Sequence, residues 1–263
     1  CRIIDSPRER LIAILTNSFM PCNGRFPMML TLIGLFIAPS GALGALCLAG
    51  VIVLGVAMTF LASRFLSATA LKGQPSAFTL ELPPFRRPQI GRVLVRSALD
   101  RTLRVLGRAV VVAAPAGLLI WALANVQAGG ATLLAHCVRA LNPAGRFLGM
   151  DGALLLAFVL AFPANELVLP LAMMAYQSTG ALSGAHSASS IAGVLLENGW
   201  TWLTALNAIV FSLMHWPCST TVLTVARETR SKKWALVSIA LPTACGIAAC
   251  ALISFAARAL RLA

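Results

Sequence analysis

Two long apolar stretches of this chain are each interrupted by a cysteine flanked by proline, at Pro21-Cys22-Asn23-Gly24-Arg25-Phe26-Pro27 and at His215-Trp216-Pro217-Cys218-Ser219-Thr220-Thr221. Proline has no backbone donor and its ring clashes with the preceding turn, so a helix stops or kinks there. In an apolar chain this is a severe constraint. Backbone groups freed by the break cannot face lipid; they are tolerated only against protein or along a cavity. Discontinuous helices of this kind build the substrate and ion sites of membrane transporters.

Composition makes the membrane setting firm. Of 263 residues, 59% are hydrophobic and 11% are charged, against about 25% charged in a soluble domain, and the mean hydropathy is +0.85. The expected fold is all-α, a polytopic bundle of transmembrane helices that includes broken or re-entrant ones. The length suffices for roughly six to eight spans of ~20 residues. The net charge of +13 comes from Lys and Arg that flank apolar runs without interleaved aromatics. That is the pattern of cytoplasmic loops and not of a nucleic-acid surface. Seven cysteines without a CxxC pair argue against a disulfide framework or zinc knuckle. Cys47, Cys245 and Cys250 sit in plain apolar runs and read as small core hydrophobes. The chain starts at Cys1 with neither an initiator Met nor a signal peptide, as expected of the later part of a longer protein.

The order of segments follows from the same signals. Ser6-Pro7-Arg8-Glu9 predicts a helix start with Ser6 as the cap and Pro7 at the first helical position. A short helix then runs to Met20, breaks, and resumes over Met28–Ala38. Ala42–Leu66 is a full span, and its Gly41, Gly44, Gly50 and Gly55 predict close helix packing. Ser67–Gly91 is a polar, proline-rich loop. Between Arg64 and Arg108 there are nine Lys or Arg against Glu81 and Asp100, the strongest cytoplasmic signal in the chain. Arg92, Arg96, Asp100, Arg104 and Arg108 recur every fourth residue, which predicts an amphipathic helix at the inner surface. Further segments are expected at Ala109–Val126, at Gly152–Tyr176 with an interruption at Pro163-Ala164-Asn165-Glu166, at Gly199–Ala226 and at Trp234–Leu260. Two units are expected, residues 1–90 and 91–263. Three crossings between Arg108 and Arg227 would put the two basic clusters on opposite sides. Either Gly152–Tyr176 is a re-entrant hairpin, or the second cluster lies outside.

Several residues could carry chemistry at these breaks. Glu166 is the acidic residue in the middle of an apolar run, where a carboxylate costs at least ~2.5 kcal/mol. It reads as a cation ligand or proton acceptor, or else as an ion-pair partner that holds helices together. Cys22 and Cys218 are soft ligands. With imidazole they suit iron, copper or zinc better than magnesium or calcium, although either thiol alone is equally explained as packing beside a kink. His215 precedes Cys218 by three residues and would share its face on a continuing helix, with Pro217 between them as the obstacle. Asn23 and Asn165 offer amide oxygens either to a hard ion or to freed backbone groups. Arg25 reads as the partner of a carboxylate or as an interfacial charge. Met20, Met28 and Met29 read as packing. His136 and His186 lie in polar connections and read as solvated. No phosphate loop, GxSxG, HExxH or dinucleotide fingerprint occurs, so no catalysis is expected of this chain.

The segment Asp5 to Pro27, the stretch Leu80-Glu81-Leu82-Pro83-Pro84-Phe85-Arg86-Arg87-Pro88, Asp100-Arg101-Thr102-Leu103, Phe162-Pro163-Ala164-Asn165-Glu166-Leu167-Val168-Leu169-Pro170 and His215 to Thr221 together resemble the membrane portion of the ferrous iron transport protein B family, in order and from end to end. The resemblance implies a multi-pass permease of a prokaryotic inner membrane with Fe(II) as the transported substrate. It further implies that the chain is the C-terminal membrane part, with a linking region and a second gate repeat. In that family a GTP-binding domain and a first gate repeat come earlier; both become expected partners beside the lipid bilayer, and homo-oligomerisation is left open. The family's metal-path cysteine maps onto Cys22 and its membrane glutamate onto Glu166. With His215, Cys218, Asn23 and Asn165 they form the expected metal path. Nucleotide-driven motion would reach it through Arg92–Arg108. A nucleoside transporter of the gate-repeat type and a non-transporting scaffold are the competing readings.

Overall fold

The computed structural model describes residues 1, 4, 6–38, 40–69, 71, 91, 95, 96, 99, 102–177 and 188–260. Nearly all of the expected loop after Ser67, residues 92–94, 97, 98, 100 and 101 of the expected Arg92–Arg108 helix, and His186 lie outside them. What is described is almost entirely helical, with a single two-stranded hairpin at Gln127–Ala128 (β1) and Ala131–Thr132 (β2).

The first helix, α1 (Pro7–Thr16), begins as the sequence predicts. The Ser6 hydroxyl accepts from the Glu9 amide at 3.5 Å, with Pro7 in the first turn. A single 3-10 turn, Asn17–Phe19, carries the chain into the first break. α2 (Phe26–Leu32) follows and loosens into a π turn over Ile33–Ile37. α3 (Gly41–Ala68) is a 28-residue span. Its glycines are unequal. A Cβ at Gly41 or Gly50 meets nothing within 4 Å, whereas one at Gly55 would stand 2.9 Å from the Phe19 carbonyl and 3.4 Å from Pro21 Cδ. The expected close packing is thus concentrated at Gly55, where α3 presses on the first break; Gly41 and Gly50 take no part in it.

α4 (Leu103–Asn125) contains Pro115 and leads through the hairpin to α5 (Leu133–Phe147). On α5, Leu134, Val138, Leu141 and Gly145 turn inward while His136, Arg139 and Arg146 are exposed, the period of an amphipathic surface helix. Its end is a Schellman cap. The Met150 amide reaches back to the Gly145 carbonyl at 2.9 Å, and Gly149 takes φ +70°, a conformation glycine adopts without a Cβ penalty. Asp151 immediately caps the next helix, α6 (Gly152–Leu160), by accepting the Leu154 amide at 2.7 Å. Back-to-back caps take up the whole connection, residues 148–151, and α5 and α6 meet at 107°.

α6 is buried on all sides except at Val159. Its nine residues reach only about 14 Å at ~1.5 Å each, half the ~30 Å hydrocarbon core. The chain turns at Ala161–Ala164, passes a 3-10 turn at Asn165–Leu167 and returns as α7 (Val168–Gln177), packed against α6. Gly152–Tyr176 is thus a short helical hairpin that turns at its Pro163 interruption. Tyr176 donates to the free Asp151 carboxylate oxygen and accepts from Trp200 Nε1 at 2.8 Å, so the mouth of the hairpin is tied to the segment that follows α8 (Ala188–Glu197).

α9 (Trp202–Met214) is the core of the bundle. Its residues from Asn207 to Met214 are buried on every face, as expected of a helix enclosed by others. It packs against α2, α3 and α11. The second break separates it from α10 (Ser219–Thr229), and α11 (Lys232–Ala259) closes the bundle. Among the described residues three helical stretches are long and apolar enough to cross a membrane: Gly41–Ala68, Trp202–Thr229 and Lys232–Ala259. The α5–α6 pair would make a fourth if counted as one. That count covers the described residues only, and the first break leaves the apolar stretch Phe26–Ile37 shorter than a span.

The unequal glycines generate a test. Gly55→Val should lower stability by about 1–3 kcal/mol through overpacking against backbone, whereas Gly50→Val should be close to neutral, as read from thermal unfolding in detergent.

Candidate ion site at three helix breaks

The three breaks meet. Pro217 has no amide hydrogen, so the Leu213 carbonyl four residues earlier loses its helical donor. Arg25, inside the first break, supplies the replacement: Nη1 donates to Leu213 O at 2.9 Å and to Ser18 O at 3.1 Å. Nη2 points to the His215 and Trp216 carbonyls at 3.4 and 3.5 Å. The second break is tied in turn to the third. The Ser219 amide donates to Phe162 O at 2.9 Å, and its hydroxyl approaches Pro163 O at 3.5 Å. The first and third breaks touch at Gly24, where a Cβ would lie 3.6 Å from the Glu166 amide nitrogen and 3.8 Å from its Oε2.

A cavity of about 240 Å³ lies at this junction. Ser18, Cys22 and Arg25 line it from the first break, Cys218 and Thr221 from the second, and Asn165 from the third. Cys218 sits at the N-cap of α10 with its sulfur 3.1 Å from Thr220 Oγ1 and 3.2 Å from Thr221 Oγ1. The Ser18 Oγ and Asn165 Oδ1 atoms are buried without a hydrogen-bond partner. Residues that carry soft sulfur and residues that carry neutral oxygen therefore line one space.

The structure brings together Cys22, Cys218 and Asn165 of the expected path. Glu166 and Asn23 are exposed beside them, on the outer side of the same junction. His215 is placed elsewhere. α9 ends at Met214 and the backbone at His215 is extended (ψ 179°), so His215 and Cys218 do not share a helix face. The His215 Nδ1 lies 2.8 Å from Ser212 O, and the ring is enclosed by Phe158, Phe211 and Trp216. Met28 and Met29 are core residues, and Met20 alone of the three methionines lines the cavity. Among the described residues Arg25 pairs with no carboxylate; it is 2% exposed and serves carbonyls. Its role was the signal most easily missed, although the proline four residues after Leu213 marks the acceptor it fills. Among the described residues no three His, Cys, Asp or Glu side chains form a closed metal cluster, so the junction offers an open, partial ligand set.

Comparison with known proteins places this architecture. Residues 48–99 match the model described as Ferrous iron transport protein B C terminus, and residues 106–232 match the one described as Gate: Nucleoside recognition. The chain belongs to the ferrous iron transport protein B family. Its similar relatives include the Fe(2+) transporter FeoB of Staphylococcus aureus (strain COL), 31% identical over 252 residues, which span 92% of this chain and 35% of that protein. The Fe(2+) transport protein A/Fe(2+) transporter FeoB fusion protein of Porphyromonas gingivalis is 24% identical, with 90% of this chain and 33% of that protein covered. The Fe(2+) transporter FeoB of Leptospira interrogans (serovar copenhageni) is 23% identical, with 89% and 37% covered. The chain thus spans about a third of the length of these relatives. No solved structure matches it.

Exposure at the junction sets an order of thiol reactivity. Cys22 is exposed, Cys218 is partly covered and Cys250 is fully buried. A water-soluble maleimide should modify Cys22 first, Cys218 next and Cys250 only on unfolding, as read by peptide mass spectrometry.

Proposed function

We propose that this chain is the conducting membrane portion of a ferrous iron transporter in a prokaryotic inner membrane, and that Fe(II) passes the junction of the three breaks. The observation that carries the reading is the cavity shared by Cys22, Cys218 and Asn165, in a chain whose relatives are named Fe(2+) transporters. Fe(II) favours soft and borderline donors, and the two thiols supply them. Conduction needs binding strong enough to admit the ion and weak enough to release it. An open ligand set meets that need: Fe(II) exchanges part of its water shell for sulfur and for the Asn165 and Ser18 oxygens, then leaves. Glu166 and Asn23 act at the outer approach, where the carboxylate attracts a dication. His215 stands behind the path as a packing residue.

The unit boundary near residue 90, the first gate repeat and the GTP-binding domain belong to the same proposal, with GTP acting only through the longer protein. If α6–α7 is re-entrant, α4 and α9–α10 are the two crossings between Arg108 and Arg227. Both basic clusters then share the cytoplasmic side, which agrees with the positive-inside rule. A nucleoside substrate is disfavoured by size, because the cavity of about 240 Å³ lies below the ~300–1,000 Å³ of ordinary small-molecule sites.

Radioactive iron uptake by the full-length protein in proteoliposomes tests the assignment. Cys22→Ser, Cys218→Ser and Glu166→Ala should each reduce uptake by about 10-fold or more, while His215→Gln should change it less than threefold. Unchanged uptake in both cysteine variants would falsify the path.

A further inference from the structure

Arg25 brings a permanent charge into the interior, and nothing in the proposed path requires a cation at that point. A buried guanidinium costs several kcal/mol unless its donors are well used. Here the Nη donors go to carbonyls of two different helix breaks, Ser18 O seven residues and Leu213 O 188 residues from Arg25, while Nε is buried without a partner. One nitrogen, Nη1, bridges Ser18 O and Leu213 O, and the second turns toward His215 O and Trp216 O. Cys22 lies three residues before Arg25 and is joined to it by the turn in which the Arg25 amide donates to Cys22 O at 2.9 Å. Cys218 lies two residues beyond Trp216. The guanidinium therefore fixes the backbone on both sides of the cavity at the points from which the two thiols project.

We propose that Arg25 is the positioning residue of the ion path, a lock that holds the first break against the second so that Cys22 and Cys218 face one cavity. The proposal rests on the reading of that cavity as the Fe(II) path. It depends on geometry as well as charge. A guanidinium presents a planar fork of five N–H donors, whereas a lysine ammonium is a compact point charge with three. Lysine keeps the charge and loses the fork, so Arg25→Lys separates the two roles. Pro217→Ala gives a second handle, because it restores an amide hydrogen that can serve the Leu213 carbonyl from within the helix.

The test uses the full-length protein in membranes with two readouts. The first is cross-linking of Cys22 to Cys218 by a short bis-maleimide, identified by mass spectrometry of the joined peptides; it needs no iron. The second is the KM and maximal rate of Fe(II) uptake. Arg25→Lys should lower the cross-linking yield and raise KM by about 10-fold each, the usual effect of removing a group that orients metal ligands, with the maximal rate less affected. Arg25→Lys with Pro217→Ala should unfold at a higher temperature than Arg25→Lys alone, yet its cross-linking should stay low. If Arg25→Lys does not accumulate, the double variant supplies the folded background for the same readouts. Cross-linking and KM within twofold of wild type in whichever background folds would overturn the lock. Low cross-linking in Arg25→Lys together with normal uptake in Cys22→Ser would refute the iron path and leave the lock standing.

Discussion

A backbone carbonyl without a donor is the liability on which this structure turns. In lipid such a group has no water to bond, and each proline break leaves at least one. The protein meets the need across elements and not within them. Arg25 serves the carbonyls of the second break, Ser219 those of the third, and Gly55 lets α3 close over the first. Each break is stabilised by a neighbouring break, so the three cannot be placed independently. The cavity follows from this mutual satisfaction, because groups that point at one another's backbones leave their flanking side chains around a common space.

The all-round burial of α6 and α9 fits the same logic. Short or enclosed helices need no lipid-facing stripe; they need neighbours that cover both them and their open ends. The amphipathic α5, the capped corner at Gly149 to Asp151 and the Asp151–Tyr176–Trp200 chain of hydrogen bonds supply that cover at the mouth of the hairpin. The long apolar helices α3 and α11 form the outer walls, with large side chains such as Phe60, Leu61, Leu252 and Phe255 turned outward, where lipid is their natural solvent.

Local chemistry was legible in the sequence, and mutual arrangement was not. The Ser6 cap, the break at Pro21, the break at Pro217 and the interruption at Pro163 could all be read because proline and capping residues act over four residues or fewer. His215 was harder. Its i, i+3 spacing to Cys218 predicts a shared face only if the helix continues, and the extended backbone at His215 removes that premise. Arg25 was harder still, since its acceptor Leu213 lies 188 residues away and a carbonyl leaves no mark in a one-dimensional pattern. Gly50 and Gly55 look identical in sequence; only the neighbour opposite distinguishes them. The parity problem between basic clusters could be posed from sequence, whereas the shortness of α6 and its return as α7 could not be read there.

The corner between α5 and α6 has a mechanical meaning. Two helices joined at 107° by back-to-back caps over residues 148–151 have the form of a bell crank. One arm, α5, carries its charges at the surface; the other ends at Phe162 and Pro163, whose carbonyls the second break holds. A tilt of the surface arm would be delivered, turned through roughly a right angle, to the point where the breaks join. The same caps that set the static shape would thereby turn a sideways push outside into a displacement at right angles to it within.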